Sequence, residues 1–469
     1  MTVFNFSRSN DVAMDQQHWQ DRLTALAEKH GVVGASLAVQ HREETVEAAS
    51  GVLNLRTQQP ATPDSLFQIG SISKVWTATL VMQLVDEGLL DLDEPIIKHL
   101  PDFMVADPQV TSTVTARQLL AHTSGIDGDR FLDTGRGDDA VEKYVAAMAD
   151  LTQVHPQGAT MSYCNSGFTL LGRLVEVLRG QTWDEVLRER LFVPLGLESA
   201  GTLPEEALLH AAATGHMVLP DQDEPIVTPQ WGIYRSTGPA GLIHCPARDV
   251  LAFARLHLDG GTTPDGTRVL SPESVAAMQE PQVEVPDPYT LGSHWGLGWI
   301  LMTWDGQRVY GHDGATLGQG AFLRILPDGD LTVSLCTNGG KHPRDLFEDL
   351  YRELFSEIGG VQMPRRPEPP AAPGTVDASR FVGRYAREGV EMTITEEEGG
   401  LVVRTRNLSP LAAEMPDPEP MRLLRFDGDV MLAKGPDDET FSPAVFFDLA
   451  GERYLHFGAR ATRRVATDV

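Results

Sequence analysis

Cysteine is scarce in this chain: three residues in 469, Cys164, Cys245 and Cys336, far apart and in no CxxC pair. An odd, sparse set excludes a disulfide scaffold and points to a reducing compartment. No HExxH string and no His/Cys group with ligand spacing occurs, so neither a metal site nor a cofactor is implied. Long apolar runs are missing too. Nothing approaches the roughly 18 uninterrupted apolar residues of a membrane-crossing helix. The start, MTVFNFSRSNDVAMDQQHW, has neither the basic opening nor the apolar stretch of a secretory signal, and a cytoplasmic location is predicted. Basic residues are in deficit, 38 Lys and Arg against 66 Asp and Glu, a formal charge of -28. Such a surface repels phosphate backbones and anionic lipid, which excludes nucleic acid and membrane surfaces as partners.

What remains is globular material, 41% apolar and 22% charged, long enough for two or more domains. The sharpest break is at 364–373 (PRRPEPPAAP), with five prolines in ten residues. Proline fixes φ and removes donors, so an extended linker is predicted. The organisation read from this is an N-terminal extension (1–14), a long unit (15–360), a Pro-rich linker (361–376) and a tail domain (377–469).

In the long unit, 19–29, 74–87, 167–178, 246–258 and 344–358 read as helices. Strand-like runs lie at 35–40, 45–49, 299–302, 321–326 and 331–336. Strands at both ends with helices between them predict an α+β fold, an antiparallel sheet assembled from both termini and carrying a helical region. The tail shows short alternating runs at 381–385, 391–395, 401–405, 421–426, 430–433, 444–449 and 453–457, separated by turns such as EEGG, FDGD and LAGE. That pattern predicts a small antiparallel β-barrel.

Three short strings carry chemistry. In SISK, Ser71 and Lys74 are three apart, one turn along a helix that starts at the serine. A helix start also offers undonated amides and a positive dipole end to a developing oxyanion. A capping serine beside a surface lysine is the plainer reading, since a Ser-x-x-Lys string arises about once by chance in such a length. In YCN, Tyr163 suits a general base and Asn165 a partner for a substrate amide, against a buried tyrosine and a capping asparagine. In HDG, His312 can polarise Tyr163 or a substrate carbonyl. Gly314 permits close approach and the next amide, on Ala315, can donate to an oxyanion, against a turn histidine beside loop glycines.

Ser-x-x-Lys, Tyr-x-Asn and His-x-Gly in this order resemble the serine β-lactamase and penicillin-binding-protein family, in its class C-like esterase and peptidase branch. The contexts FQIGSISK, LLAHTSGI, PAGLIHCPARDV, GLGW and LTVSLCTN agree, so the resemblance covers roughly residues 15 to 358. The tail is similar to the lipocalin-like barrel that some members carry. The resemblance implies Ser71 as nucleophile, Lys74 as its activating partner and Tyr163 as general base. It implies Asn165 as the group binding the acyl-side amide, and the amides of Ser71 and Ala315 as the oxyanion hole. His312 stands where true β-lactamases have a lysine. A histidine is only partly charged near neutrality, which favours a carbonyl substrate other than a β-lactam.

The loops 128–139 and 220–236 are candidate pocket walls, the second carrying Trp231 and Tyr234. Arg460, in LHFGARATRR, is a candidate for holding a substrate carboxylate, against a solvated terminal strand. The missing signal, HDG, YCNSGF and the barrel resemble the penicillin-binding-protein-type thioesterases, which release and cyclise nonribosomal peptides. The implied partner is a small-molecule or peptide acyl substrate, including a thioester on a carrier protein. Alternatives are a carboxylesterase or D-stereospecific peptidase of the same family, and a non-catalytic peptide- or lipid-binding module. A metallo-hydrolase has no ligand cluster to support it.

Overall fold

The computed structural model describes residues 14–219, 222–371, 374, 377–408, 417–435 and 440–466. The expected N-terminal extension (1–14) and linker (361–376) lie partly outside these, as does the start of the 220–236 loop. Residues 361–370 form no helix or strand. The chain divides into two compact units. The first is Met1–Asp86, Gln181–Ala276 and Thr303–Met363; the second is Glu87–Gly180, Ala277–Met302 and Pro364–Val469.

In the first unit, β1 (Gly34–His41) and β2 (Glu44–Asn54) come from the start of the chain. β3 (Gln307–Thr316), β4 (Gln319–Leu326) and β5 (Leu331–Thr337) come from far along it. They lie antiparallel in the order β2-β1-β5-β4-β3. Every residue of β5 and the first six of β1 are buried, so both faces of the sheet are covered. The helix Ala247–Leu258 lies against β1 and β5. The helices Gln16–Lys29 and Pro343–Glu357 pack on each other, with Arg22 Nε donating to Glu353 Oε2 at 2.8 Å. The Gln16–Lys29 helix starts where the Asp15 carboxylate accepts from the amides of Gln17 and His18. The helix Ser73–Asp86 is buried continuously from Ser73 to Leu84. Its sequence, SKVWTATLVMQLVD, is apolar nearly all round, as a helix enclosed on every side must be.

One element differs from expectation. The glycine-rich stretch around HDG reads as turn and loop, yet it forms the second half of β3, with Gly311 opposite Arg324, His312 opposite Leu323 and Gly314 opposite Ala321. Ladder pairing with β4 overrides the weak strand preference of glycine and aspartate here.

In the second unit, the helix Asn165–Arg179 buries a stripe from Phe168 to Val175 and ends at Gly180, in the left-handed conformation a helix stop favours. Its start is capped by a cysteine: Cys164 Sγ accepts from the Gly167 amide at 3.2 Å. The tail closes a barrel of eight antiparallel strands, β6 (Gly383–Arg387), β7 (Val390–Glu397), β8 (Gly400–Asn407), β9 (Met421–Asp427), β10 (Val430–Lys434), β11 (Ser442–Leu449), β12 (Glu452–Phe457) and β13 (Arg460–Val465). β13, hidden in sequence by its arginines, pairs with β6 and completes the ring. The fold is therefore α+β with a closed antiparallel barrel in the tail, as expected. Among the described residues no helix is long and apolar enough to cross a membrane.

The barrel interior is filled by Phe381, Tyr385, Met392, Ile394, Val403, Met431, Phe446 and Leu455. Phe446 meets Phe381 edge-on at 4.9 Å and Tyr385 at 5.9 Å. Phe446→Ala is expected to cost about 3–5 kcal/mol through the void it leaves. Denaturant titration followed by tryptophan and tyrosine emission checks this; a loss under 1 kcal/mol would mean the interior can collapse around the gap.

Candidate active site

Ser71 sits in a single tight turn, Gly70–Ile72, that leads straight into the helix Ser73–Asp86. Lys74 lies in the first turn of that helix, fully buried. Its Nζ donates to Ser71 Oγ at 3.0 Å and to the Ala240 carbonyl at 2.6 Å. A buried ammonium must be given acceptors or lose its proton. A carbonyl and the serine hydroxyl meet that demand here, which aims the amine at Ser71 and rules out a surface lysine.

The backbone of β3 passes directly over the Ser71 turn. A Cβ on Gly314 would lie 1.8 Å from the Ile69 carbonyl oxygen and 3.0 Å from the Ser71 amide nitrogen. A Cβ on Gly70, which has φ +51°, would lie 2.5 Å from the Ala315 amide nitrogen. Two glycines facing each other thus let the strand come close enough for the amides of Ser71 and Ala315 to share one neighbourhood. That is the geometry an oxyanion hole needs.

His312 is buried on the same strand, its Nδ1 2.6 Å from the Asp313 carbonyl. A carbonyl only accepts, so Nδ1 carries the proton and Nε2 is an acceptor. Burial, reinforced by the Lys74 charge, pushes the imidazole down to about 3. His312 is therefore neutral near pH 7. Beside it, burial works to raise the Asp313 carboxyl, but Arg324 Nη1 at 2.5 Å holds it below its ordinary value.

Tyr163 and Asn165 belong to the second unit, at the start of the helix Asn165–Arg179. The chain turns tightly there because Gly128 accepts both the Asn165 and Ser166 amides through its carbonyl, at 3.1 and 3.2 Å. A Cβ at position 128 would lie 2.4 Å from the Cys164 Cα. The Tyr163 ring lies 4.4 Å from the ring of His122 and meets Trp295 edge-on at 5.7 Å. Its amide donates to the Ala459 carbonyl, in the β12–β13 turn, at 2.9 Å. Arg460, the first residue of β13, places its guanidinium 4.9 Å from the Tyr163 ring centroid.

Arg460 has different neighbours from those expected. Nη2 and Nε donate to the two oxygens of Asp129, at 2.9 and 3.1 Å, and Nη1 donates to the Gly458 carbonyl at 2.8 Å. All three nitrogens thus have partners within the protein, two of them on Asp129. Asp129 also pairs with Arg387 and accepts from Asn165 Nδ2 at 3.2 Å. Burial would raise its carboxyl, yet Arg460 and Arg387 together keep it below the ordinary carboxylate range. Asp127 nearby is pushed up to about 6 by burial. A cavity of about 250 Å³ opens beside Asp129, with Phe131, Leu132 and Leu408 among its walls.

Of the residues singled out in sequence, Ser71, Lys74, His312, Gly314 and Ala315 gather in the first unit. Tyr163, Asn165 and Arg460 gather in the second. Trp231 and Tyr234 are half-buried on their loop in the first unit; Trp231 Nε1 donates to the Ala213 carbonyl at 2.8 Å and its ring faces His244 at 5.3 Å. Asp129, Arg387, Gly70 and His122 were not singled out. Asp129 had a pointer through its place in the 128–139 loop, and Gly70 and His122 through the contexts FQIGSISK and LLAHTSGI; Arg387 had none.

Residues 19–356 match the beta-lactamase family model. Penicillin-binding protein 4 of Amycolatopsis lactamdurans is 50% identical over 378 residues, 80% of this chain and 98% of its own length. Among solved structures, SurE superposes with a TM-score of 0.78 at 30% identity, over 96% of this chain and 99% of its own; it has also been solved with D-Leu. The D-amino acid amidase of Ochrobactrum anthropi shares the fold at a TM-score of 0.61 and 23% identity, over 74% of this chain and 99% of its own.

Two outcomes follow from the first-unit geometry. Gly314→Ala is expected to lower turnover of an activated ester at least 100-fold, because the strand must move off the Ser71 turn; turnover within threefold of the parent would show that the close approach is not needed. The His312 imidazole, depressed in the folded chain, leaves the unfolded chain binding more protons between about pH 3 and 6.5. Stability should therefore fall as pH drops through that window, and His312→Gln should flatten the slope. Urea midpoints at several pH values read this, and equal slopes in both chains would contradict it.

Proposed function

This chain belongs to the beta-lactamase family, as a serine hydrolase, and on that premise we propose that Ser71 carries an acyl group taken from a peptide ester or thioester. The observation that carries this reading is the buried Lys74 Nζ aimed at the Ser71 hydroxyl at 3.0 Å. Tyr163, in its phenolate form, accepts the Ser71 proton as Oγ attacks the carbonyl carbon. The amides of Ser71 and Ala315 take the charge on the carbonyl oxygen, and the proton passes from Tyr163 to the departing alkoxide or thiolate. Lys74 keeps the hydroxyl oriented, and His312 offers Nε2 as an acceptor without adding charge. Water or an amine then attacks the ester carbonyl on Ser71, giving a proton to Tyr163, which passes it to Ser71 Oγ as that oxygen leaves.

The favoured acceptor is the peptide's own amine, giving a ring, with the acyl chain delivered as a thioester. Two observations support this over simple ester hydrolysis. The likeness to SurE runs through 96% of the chain, barrel included, and D-Leu is bound in one of its structures, which supports a D-residue at the reacting end. The cavity beside Asp129 offers Phe131, Leu132 and Leu408 to a side chain of such a peptide, with Asp129, Arg130 and Glu388 as its polar walls. A second reading, acylation by penicillin, is favoured by the name of the 50% identical relative. The neutral His312 weakens it, because a penicillin carboxylate would meet no fixed cation at that position.

Incubation with an N-acetyl-peptide thioester ending in a D-residue, and separately with a penicillin, tests both. A mass increase on Ser71, lost in Ser71→Ala, is expected from the thioester, with cyclic product from substrates bearing a free amine. No adduct, or one that survives Ser71→Ala, would overturn the reading. Tyr163→Phe should slow acylation at least 100-fold by removing the proton acceptor; an unchanged rate would take Tyr163 out of the mechanism.

A further inference from the structure

Asp129 sits where Asn165 of the YCN string and two arginines of the barrel converge. It takes Asn165 Nδ2 at 3.2 Å, Arg460 through two parallel hydrogen bonds, and Arg387 from the end of β6. Its neighbourhood is built from both ends: the Glu388 amide, in the β6–β7 turn, donates to Asp127 Oδ2 at 2.6 Å, and the Ala461 amide donates to Ser162 Oγ at 3.1 Å. Arg130 closes the side by donating to Glu388 at 3.0 Å.

An ionised carboxylate only accepts hydrogen bonds. Asn165 must therefore turn its amide nitrogen to Asp129 and its carbonyl oxygen away. The oxygen left over is an acceptor, and a donor that suits it is the N–H of a peptide amide. A plain alkanoyl ester offers no such donor. The same carboxylate fixes the plane of the Arg460 guanidinium by gripping Nε and Nη2 together, and that plane is the one lying 4.9 Å from the Tyr163 ring. Without Asp129, two buried guanidiniums would repel each other and the one above Tyr163 would keep, of its three hydrogen bonds, only that to the Gly458 carbonyl.

We propose that Asp129 is a positioning residue that couples the C-terminal barrel to acyl transfer: it sets the Asn165 carboxamide to accept from a peptide N–H and holds barrel Arg460 against Tyr163. This rests on the acyl-transfer reading above and deepens it to a peptide acyl donor. The barrel is then part of the reacting site's support, acting on turnover and not on capture of a substrate carboxylate.

The test uses the full chain and an N-acetyl-dipeptide p-nitrophenyl ester, prepared with the internal amide and with that amide replaced by an ester, which deletes one N–H. The adduct on Ser71 of the parent is measured first. Asp129→Asn and Arg460→Gln should each lower kcat at least tenfold on the amide-containing substrate with KM within threefold. Arg460→Lys should recover part of the Arg460→Gln loss. The double variant should lose no more than the worse single one, because both act through one cluster. The parent should prefer the amide substrate at least tenfold in kcat/KM over its ester analogue, and Asp129→Asn should narrow that preference. Arg404→Gln, which breaks an exposed pair with Glu397 on the barrel, should leave kcat unchanged.

A kcat within twofold of the parent in a folded Asp129→Asn or Arg460→Gln chain would overturn the proposal. So would a loss seen only in KM and only for substrates with a free terminal carboxylate, which would make Arg460 a substrate-binding group. If Asp129→Asn does not fold, Arg460→Gln and its lysine counterpart still decide. An unlabelled Ser71 in the parent removes the acyl-transfer reading and this one together; a labelled Ser71 with unaffected variants removes this one alone.

Discussion

An amine placed inside a protein has to be reconciled with the loss of water, and in the first unit most of the local architecture answers that requirement. Lys74 can be enclosed because the helix bearing it is apolar nearly all round, and its charge is met by the Ala240 carbonyl and the Ser71 hydroxyl. The consequences spread outward. The same charge, added to burial, keeps His312 neutral. A neutral histidine can stand in a strand that carries no compensating carboxylate of its own except Asp313, and Asp313 is itself answered by Arg324 on β4. The pair of glycines at 70 and 314 then brings strand and turn within backbone distance. Electrostatics and sterics agree, so a small change in either would displace the serine.

The second unit solves a related problem with the opposite sign. A carboxylate, Asp129, is buried and matched by two guanidiniums from strands that lie at either end of the barrel's sequence. Buried ionic clusters of this kind contribute little net stability compared with apolar packing, but they specify one arrangement sharply. Here the arrangement specified includes the orientation of Asn165 and the cation over Tyr163. Stability of the barrel comes instead from its interior of Phe381, Tyr385, Phe446 and their neighbours.

Much of this could be read from the residues in order. Alternation marked seven barrel strands, and helical periodicity with a three-residue gap put Lys74 beside Ser71. Local pattern could not show that HDG belongs to a strand, because glycine and aspartate argue for a turn and only pairing with β4 decides otherwise. Nor could it show Asp129 meeting Arg387 and Arg460, which are separated from it by hundreds of residues and whose charges look like ordinary surface groups. β13 was obscured for the same reason: three arginines in ARATRR masked the buried Ala461 and Thr462, of which Thr462 stands opposite the interior Leu455. Cys164, plain in sequence, proved to be a helix cap instead of a reactive thiol; burial pushes it up to about 12.

The barrel is a closed ring in which β6 pairs with β13. A ring has no free edge, so an incoming peptide cannot extend it by strand addition, and neighbouring chains cannot join edge to edge through it. Closure also sets an order on synthesis. The strand that seals the ring is made after the other seven, and it begins with Arg460, so until it is in place the sheet keeps an open edge and the tyrosine lacks that cation. Closing the ring and placing a cation above the tyrosine are thereby the work of one strand.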